Sequence, residues 1–186
     1  MSLTSILLAD LQRQYHFGGR GGVKPTVGGL ILQLWNPRFA PVVLQRLAHN
    51  LYESKIGFLA RFLSSVNLVL FGIEIAMRCE IGPGLYLPHT VGTVIGASRV
   101  GSNAVIYHQV TIGAKEVDIG YHEEKRPVIG DNVIIGSGAK VLGGITIGHN
   151  VTIGANAVVT QSVPDNVIVG GIPAEIIQSR DPNMPN

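Results

Sequence analysis

The chain has 186 residues, a formal net charge of +2 and 14% charged residues. Its hydrophobic fraction of 46% excludes an intrinsically disordered chain, because disorder needs low hydrophobicity and high net charge. The single cysteine, Cys79, excludes a disulfide scaffold and favours a reducing compartment, and the small net charge gives no electrostatic reason to expect a nucleic-acid partner.

Targeting signals are absent from the sequence pattern. The first residues lack the basic region of a secretory signal. The longest uncharged stretch near the middle covers residues 62–73, whereas a membrane-spanning helix needs ~20 residues. We therefore expect a cytoplasmic protein.

The composition changes near Gly72. Residues 1–80 contain 14 leucines and 11 valines plus isoleucines, whereas residues 81–186 contain 3 and 30. Leucine favours helices and β-branched residues favour strands. The change predicts an α-helical segment over residues 1–72, a β domain over residues 73–178 and a tail over residues 179–186.

Apolar spacing predicts three helices in the N-terminal segment. The first contains Leu3–Leu11 and ends at the glycines of residues 18–22. The second starts near Asn36-Pro37 and contains Val42–Leu51, and the third covers Phe58–Phe71. Their apolar faces either pack within the protein or rest on the surface of a membrane.

The second half of the chain is a repeat. Isoleucine or valine recurs every six residues from Ile129 to Val159, and a second apolar series follows four residues behind, from Val133 to Val163. A six-residue period fits neither an α-helix nor a coiled coil, and it is typical of a parallel β-helix built from hexapeptides. Three hexapeptides form one coil of about 18 residues, and stacked coils bury a ladder of isoleucine and valine.

One segment interrupts the repeat. Residues 114–127 contain seven of the 26 charged residues of the chain. A charged loop that leaves an apolar prism is either a plain solvated loop or a carrier of function, and we predict the second.

Several segments resemble the serine acetyltransferase branch of the hexapeptide-repeat acyltransferases. They read GIEI (72–75), IGPGLYLPHTVGTVIG (81–96), VTIG (110–113), KRPVIGDNVIIGSGAKVLG (125–143) and GGIPAEII (170–177). The resemblance implies a mainly β fold, a left-handed parallel β-helix, with acetyl-CoA as co-substrate and no metal. It also implies a homotrimer with active sites in clefts between neighbouring prisms. The helices would then cap the prism, pair trimers into hexamers or contact a membrane.

The resemblance implies catalytic roles for two residues. The histidine of LPHTVG, His89, would be the general base, because imidazole titrates near neutral pH and accepts the proton of an attacking hydroxyl. Glu74 in GIEI would orient that imidazole, as the acid of a catalytic triad does.

Two further sets of residues are candidates for binding. His108 occupies the same place in its coil as His89 does one coil earlier, so we expect the two side chains to stack and His108 to contact the acceptor. The resemblance adds acceptor-binding roles in the charged loop for His122, Lys125 and Arg126. It implies a groove for the pantetheine arm of CoA along small residues, namely Gly136, Ser137, Ala139, Ala155 and Thr160.

Two departures from the serine enzymes guide the choice of acceptor. Pro88 stands where those enzymes have aspartate, and Lys125-Arg126-Pro127 stands where they have Arg-His-Pro. A zwitterionic amino acid would be poorly bound, so we predict an O-acetyltransferase for a sugar or polysaccharide hydroxyl, similar to short exopolysaccharide and colanic-acid enzymes. Serine is the second candidate acceptor.

Two readings from other classes stay open at this stage. In a γ-carbonic-anhydrase-like protein, three histidines at His89, His108 and His122 would bind a metal ion. In a non-catalytic scaffold, the β-helix would serve assembly alone.

Overall fold

The computed structural model describes residues 1–180. The predicted tail over residues 179–186 therefore lies outside the described residues, apart from its first two.

The N-terminal segment forms four α-helices. They are α1 (Leu3–Tyr15), which continues into a π-helical turn (His16–Arg20), α2 (Val27–Gln33), α3 (Ala40–Glu53) and α4 (Gly57–Phe71). The sequence pattern predicts α1, α3 and α4 and misses α2, whose two adjacent glycines lower its helix propensity. It forms because Thr26 caps it by accepting a hydrogen bond from the amide of Gly29 at 3.1 Å and because Leu30 packs against the core of α1.

Fourteen short strands follow. The first seven are β1 (Ile73–Ile75), β2 (Glu80–Ile81), β3 (Thr93–Ile95), β4 (Arg99–Val100), β5 (Val105–Ile106), β6 (Thr111–Gly113) and β7 (Val128–Ile129). The other seven are β8 (Ile134–Ile135), β9 (Lys140–Leu142), β10 (Thr146–Ile147), β11 (Thr152–Ile153), β12 (Val158–Val159), β13 (Val167–Gly170) and β14 (Glu175–Ser179).

The strands form three sheets that wrap around one core. Sheet 1 has the order β1-β3-β6-β9-β12, sheet 2 the order β10-β7-β4-β2, and sheet 3 the order β14-β13-β11-β8-β5. All pairs are parallel except β13 with β14. The chain visits the sheets in turn, so each coil contributes one layer to a prism, and the predicted left-handed β-helix is confirmed.

The hexapeptide series form the core of this prism. Every residue of the first series, from Ile129 to Val159, is at most 2% exposed, and in the second series only Ile145 is partly exposed. The six-residue period is therefore the spacing of inward-facing side chains, and the repeat interpretation is confirmed.

The helical and β parts meet at Gly72. This residue ends α4 in the left-handed conformation, with φ of 63°, and a β-carbon there would lie 3.4 Å from the Cα of Val91. Glycine tolerates both the positive φ and the close approach. It allows the chain to turn from the helix straight into β1.

A buried ion pair joins α1 and α3 to the first coil. Arg46 binds the carboxylate of Asp10 through two nitrogens, at 2.9 and 3.0 Å, and the two side chains are 5% and 0% exposed. The same guanidinium donates to the carbonyls of Ile81 and Gly82, and one carboxylate oxygen of Asp10 accepts from the amides of Gly84 and Leu85. The helices are therefore fixed to the prism by a fully hydrogen-bonded charge pair. Within residues 1–180, no helix is both long enough and apolar enough to span a membrane.

Removal of this pair should destabilise the whole chain. We expect Asp10→Ala to lower the free energy of unfolding by about 3–5 kcal/mol, because it leaves the Arg46 guanidinium buried without its counter-charge. Urea denaturation followed by circular dichroism measures the change. The control Glu53→Ala removes an exposed carboxylate from the end of α3 and should stay within about 0.5 kcal/mol. Equal values for the two variants would contradict the anchoring role.

Candidate active site

Three corners separate the sheets, and the corner between sheet 3 and sheet 1 carries most of the predicted site residues. Register places Tyr86 opposite Val105, Ile106 opposite Ile135, and Ile153 opposite both Ile135 and Val169. In each strand the turn begins two residues after the inward-facing position, which is Leu87, Ile106, Ile135, Ile153 or Val169, and the residues there form one column. We call this column, which contains His89, His108, Ser137, Ala155 and Gly171, the site corner.

Two imidazoles head this column. The ring centroids of His89 and His108 are 5.5 Å apart and the rings are nearly perpendicular, at 89°. The predicted placement of the two side chains one above the other is thus confirmed, with the rings in an edge-to-face contact. His89 is exposed, whereas the Nδ1 atom of His108 is buried without a hydrogen-bond partner in the described part of the chain. A buried polar atom without a protein partner is rare, and such an atom is normally satisfied by an ordered water or a ligand.

The turn that begins at His89 contains more residues than the turn stacked on it in the next coil. Paired residues are 19 apart at Tyr86–Val105 but 17 apart at Val94–Thr111, so this turn contains two more residues than the next one. The hydroxyl of Thr90 donates to the carbonyl of Phe71 at 2.8 Å, and the amide of Gly92 donates to the carbonyl of Gly72 at 2.9 Å. The end of α4 therefore holds the turn that presents His89.

Glu74 lies on the outer surface of sheet 1. Its side chain is exposed between two buried isoleucines, and the residue pairs with Val94 in the neighbouring strand. Neither the carboxylate of Glu74 nor the imidazole of His89 makes a hydrogen bond or ion pair with any residue of 1–180. The predicted acid–base contact is thus not formed in this chain.

Small side chains continue the site corner below the histidines. Ser137 is half-buried and Ala155 is exposed, so the corner stays open there. Gly136 serves the stacking of coils, because a β-carbon would lie 2.7 Å from the amide nitrogen of Ala155. The methyl group of Ala139 is fully buried in the core, so only its backbone faces the corner. Thr160 follows β12 and lies at the corner between sheets 1 and 2 instead.

That second corner, which we call the loop corner, also holds the charged loop of residues 114–127. The hydroxyl of Tyr121 donates to the carbonyl of Ala97 at 2.6 Å, and a guanidinium nitrogen of Arg126 donates to the carbonyl of Gly96 at 2.9 Å. At Gly144 the carbonyl of Glu124 occupies the space that a β-carbon would need. The loop is thus packed onto the prism along its own corner.

Asp118 organises this loop. Its carboxylate is 2% exposed and accepts from the ring of His122 at 2.6 Å, from the amide of His122 at 2.9 Å and from Nε of Arg126 at 3.0 Å. The Arg126 guanidinium also lies 3.9 Å from the centroid of the Tyr121 ring. All three guanidinium nitrogens of Arg126 are used inside the chain, whereas the Lys125 side chain is exposed and its ammonium group has no partner among residues 1–180.

Within one chain, the loop residues and the catalytic candidate lie apart. His122, Lys125 and Arg126 occupy the loop corner, while His89 and His108 occupy the site corner, and sheet 1 lies between them. The structure therefore brings together the two histidines and the small residues, and it does not add the loop to them.

Two other chemistries receive no support from the described residues. No group of three or more His, Cys, Asp or Glu side chains within residues 1–180 is arranged to hold a metal ion. Cys79 is fully buried, and this burial raises the pKa of its thiol to about 12. A thiol that stays protonated at neutral pH is a poor nucleophile, so Cys79 does not suit an acyl-enzyme step.

Sequence reasoning missed the roles of three residues that shape the site: Thr90, Asp118 and Lys140. The ammonium group of Lys140 donates to the carbonyls of Gln109 and Gly138, at 2.7 and 2.9 Å, and so braces two turns of the site corner. Lys140 lies on the outer face of a predicted strand. The turns that its side chain contacts can be identified only once the coils are stacked, because Gln109 belongs to another coil. Asp118 was recognisable in the sequence only as one of several charges in the loop.

Comparisons with known proteins agree with this fold. Residues 126–161 match the family "Bacterial transferase hexapeptide (six repeats)". The serine acetyltransferase of Synechococcus elongatus is 40% identical over 150 residues, which are 80% of this chain and 60% of that protein. The serine acetyltransferase of Staphylococcus xylosus is 47% identical over 133 residues, 71% of this chain and 60% of that protein. A crystal structure of the Brucella abortus serine acetyltransferase superposes with a TM-score of 0.80 and 33% identity, and the match covers 95% of this chain and 69% of that one.

The chain belongs to the hexapeptide-repeat transferases. It spans about 60% of the length of the two curated relatives. For this hexapeptide-repeat transferase the predicted sugar or polysaccharide acceptor is wrong, because the relatives with extensive identity are serine acetyltransferases. The prediction gave too much weight to Pro88 and Lys125. Both residues lie in turns, and their identity alone does not define the shape of an acceptor pocket.

The contacts of Asp118 predict how the loop responds to acid. Hydrogen bonds from His122 and then from Arg126 lower the pKa of this carboxyl from 3.8 to about 2. A lowered pKa in the folded state means that the loop contacts contribute stability above pH ~4 and lose it as the pH falls toward 2.

We expect the Asp118 carboxyl carbon to titrate near pH 2 by NMR and the ring signals of Tyr121 to shift with it. In Asp118→Asn, the Tyr121 signals should already be displaced at pH 5. Titration of Asp118 at its ordinary value, or unchanged Tyr121 signals in the variant, would contradict this account of the loop.

Proposed function

We propose that this hexapeptide-repeat transferase is a serine O-acetyltransferase that transfers the acetyl group of acetyl-CoA to the hydroxyl of L-serine. The observation that carries the proposal is the exposed imidazole of His89 at the head of a corner lined by small residues. The identity of 40 to 47% with serine acetyltransferases supports it. Similar structures are described as complexes with CoA and with cysteine, an amino acid of nearly the same shape as serine.

His89 is the general base of this proposal. Its imidazole takes the proton of the serine hydroxyl while the oxygen forms a bond to the acetyl carbon. The carbon–sulfur bond of the thioester then breaks, and the imidazolium returns the proton to the departing thiolate. Proton transfer of this kind contributes about 10²–10⁴-fold to the rate.

Three other residues act on that step. His108 contacts the acceptor, because its buried Nδ1 atom has no partner in the described chain and its ring lies beside His89. Glu74 orients His89 once substrates fill the corner, and its carboxylate has no competing partner among residues 1–180. Lys140 keeps the turns around His108 and Ser137 in place.

The site corner fits the pantetheine arm of acetyl-CoA. The arm approaches backbone closely and needs small side chains, which Ser137, Ala155 and Gly171 provide in consecutive coils. Acetyl-CoA supplies the activated acyl group, and the chain supplies the groove and the base.

A neighbouring copy of the chain completes the site. The charged loop lies at the loop corner, one sheet away from His89 of the same chain. In a cleft between two prisms, the exposed Lys125 and His122 of one copy would reach His89 of the neighbouring copy. In a cyclic homotrimer every such cleft is equivalent. Lys125 would then face the serine carboxylate, while Arg126 stays engaged with Asp118 and Gly96.

The first test is a thiol-release assay with acetyl-CoA and L-serine. We expect activity with L-serine in the wild type and a fall in kcat of at least ~100-fold in His89→Asn, because the base is lost. Glu74→Gln should lower kcat less, and Glu74→Asp should retain more activity than the glutamine variant. The control His149→Asn changes an exposed histidine at the third corner of the prism and should stay within about twofold. Near-normal turnover in His89→Asn would remove the general-base assignment.

The second test asks whether two copies share one site. His89→Asn and the double variant His122→Asn/Lys125→Ala should each be weakly active alone. Co-expressed and purified as mixed oligomers, they should recover about a quarter of wild-type activity, since some clefts then combine an intact histidine with an intact loop. Mixed oligomers no more active than the average of the two variants would show that each chain builds its own site.

A further inference from the structure

A cavity lies where the helices meet the prism, away from the site corner. It has a volume of about 300 Å³ and lies between the end of α3, the start of α4, the turn after β1 and the tip of the charged loop. We call it the junction pocket. Its lining includes Tyr52, Gly57, Arg61, Arg78, Gly120 and Tyr121.

Two arginines that form no ion pair within the described residues 1–180, Arg61 and Arg78, face this pocket. The Arg61 side chain is exposed, and its guanidinium makes no hydrogen bond or ion pair within residues 1–180. The guanidinium carbon of Arg78 lies 5.9 Å from the ring centroid of Tyr52 and 5.7 Å from that of Tyr121, and one nitrogen donates to the carbonyl of Gly120 at 3.4 Å. Arg78 is therefore positioned by two rings and a carbonyl, with donors left over and no carboxylate bound.

The rest of the lining adds no negative charge. Burial raises the pKa of the Tyr121 hydroxyl, which donates to Ala97 and stays neutral. Glu123 is near enough to raise the pKa of Tyr121 further but forms no ion pair with either arginine. Gly57 begins α4, a helix of 15 residues whose preceding residue supplies no side-chain cap, so the positive end of its dipole also faces the pocket.

We infer that the junction pocket binds a small oxyanion, a phosphate or carboxylate group, held by the guanidinium groups of Arg61 and Arg78. Arginine matches both groups because its planar fork donates two parallel hydrogen bonds. The ligand would also contact the loop tip at Gly120, so its binding would steady the loop that carries His122 and Lys125. That last effect on the acceptor site rests on the proposed function, whereas the binding itself does not.

Isothermal titration calorimetry on the full chain, without acetyl-CoA or serine, tests the site. Inorganic phosphate, sulfate and malonate are titrated in separate arms, so that tetrahedral and carboxylate ligands are distinguished, with chloride as the reference anion. We expect saturable binding of at least one of the three. The dissociation constant should rise at least tenfold in Arg61→Gln and in Arg78→Gln, and less in Arg61→Lys, which keeps the charge but loses the fork.

The matched control is Arg38→Gln, which removes an exposed arginine elsewhere in the helical segment and should stay within twofold. Because the Arg61 side chain is exposed and makes no hydrogen bond or ion pair within residues 1–180, Arg61→Gln keeps the test valid even if Arg78→Gln destabilises the chain. Binding unchanged in Arg61→Gln, or no saturable binding of any of the three anions, would overturn the inference. Because the readout is binding in the absence of both substrates, its failure is separate from a failure of the proposed acetyltransferase activity.

Discussion

The buried pair of Asp10 and Arg46 is the interaction on which the arrangement of this molecule depends. Removing two charges from water costs several kcal/mol per ion, and attraction offsets that cost only when every remaining donor and acceptor is satisfied. Here the carboxylate and guanidinium bind each other and also four backbone groups of the first coil. The pair thereby fixes the position of α1 and α3 relative to the prism, and a misplaced helix would leave a buried charge unpaired. The end of α4, which packs against α3, then holds the turn at Thr90 and Gly92 that presents His89.

The geometry of the prism explains why the candidate site residues line up along one corner. Stacked coils place equivalent residues above one another, so the period that aligns the isoleucines and valines of the core also aligns the residues of each turn. At the site corner the upper coils contribute His89 and His108, and the lower coils contribute small residues. The two histidines and the small residues thus come from one repeat, in which the turn of His89 contains two additional residues.

The repeat made most of the fold predictable from sequence. Inward positions are set by a local period, so their burial and the stacking of His89 over His108 follow from counting. Contacts that depend on distant parts of the chain were not predictable in this way. The α2 helix has a weak local signal and depends on packing against α1. The role of Arg126 as a loop anchor depends on Asp118 and on the carbonyl of Gly96, which lies in another coil. The choice of acceptor failed for a related reason, since residues in turns do not reveal a pocket that a second chain would help to form.

The central claim is that the site corner holds the co-substrate. Hydrogen–deuterium exchange on the intact protein, with and without CoA, tests it most directly. The account predicts slower exchange in the turns of residues 107–110, 136–139 and 154–157 when CoA is added, and little change in the turn of residues 148–150 at the third corner. Protection confined to that third corner, or no protection in any turn of the site corner, would contradict it.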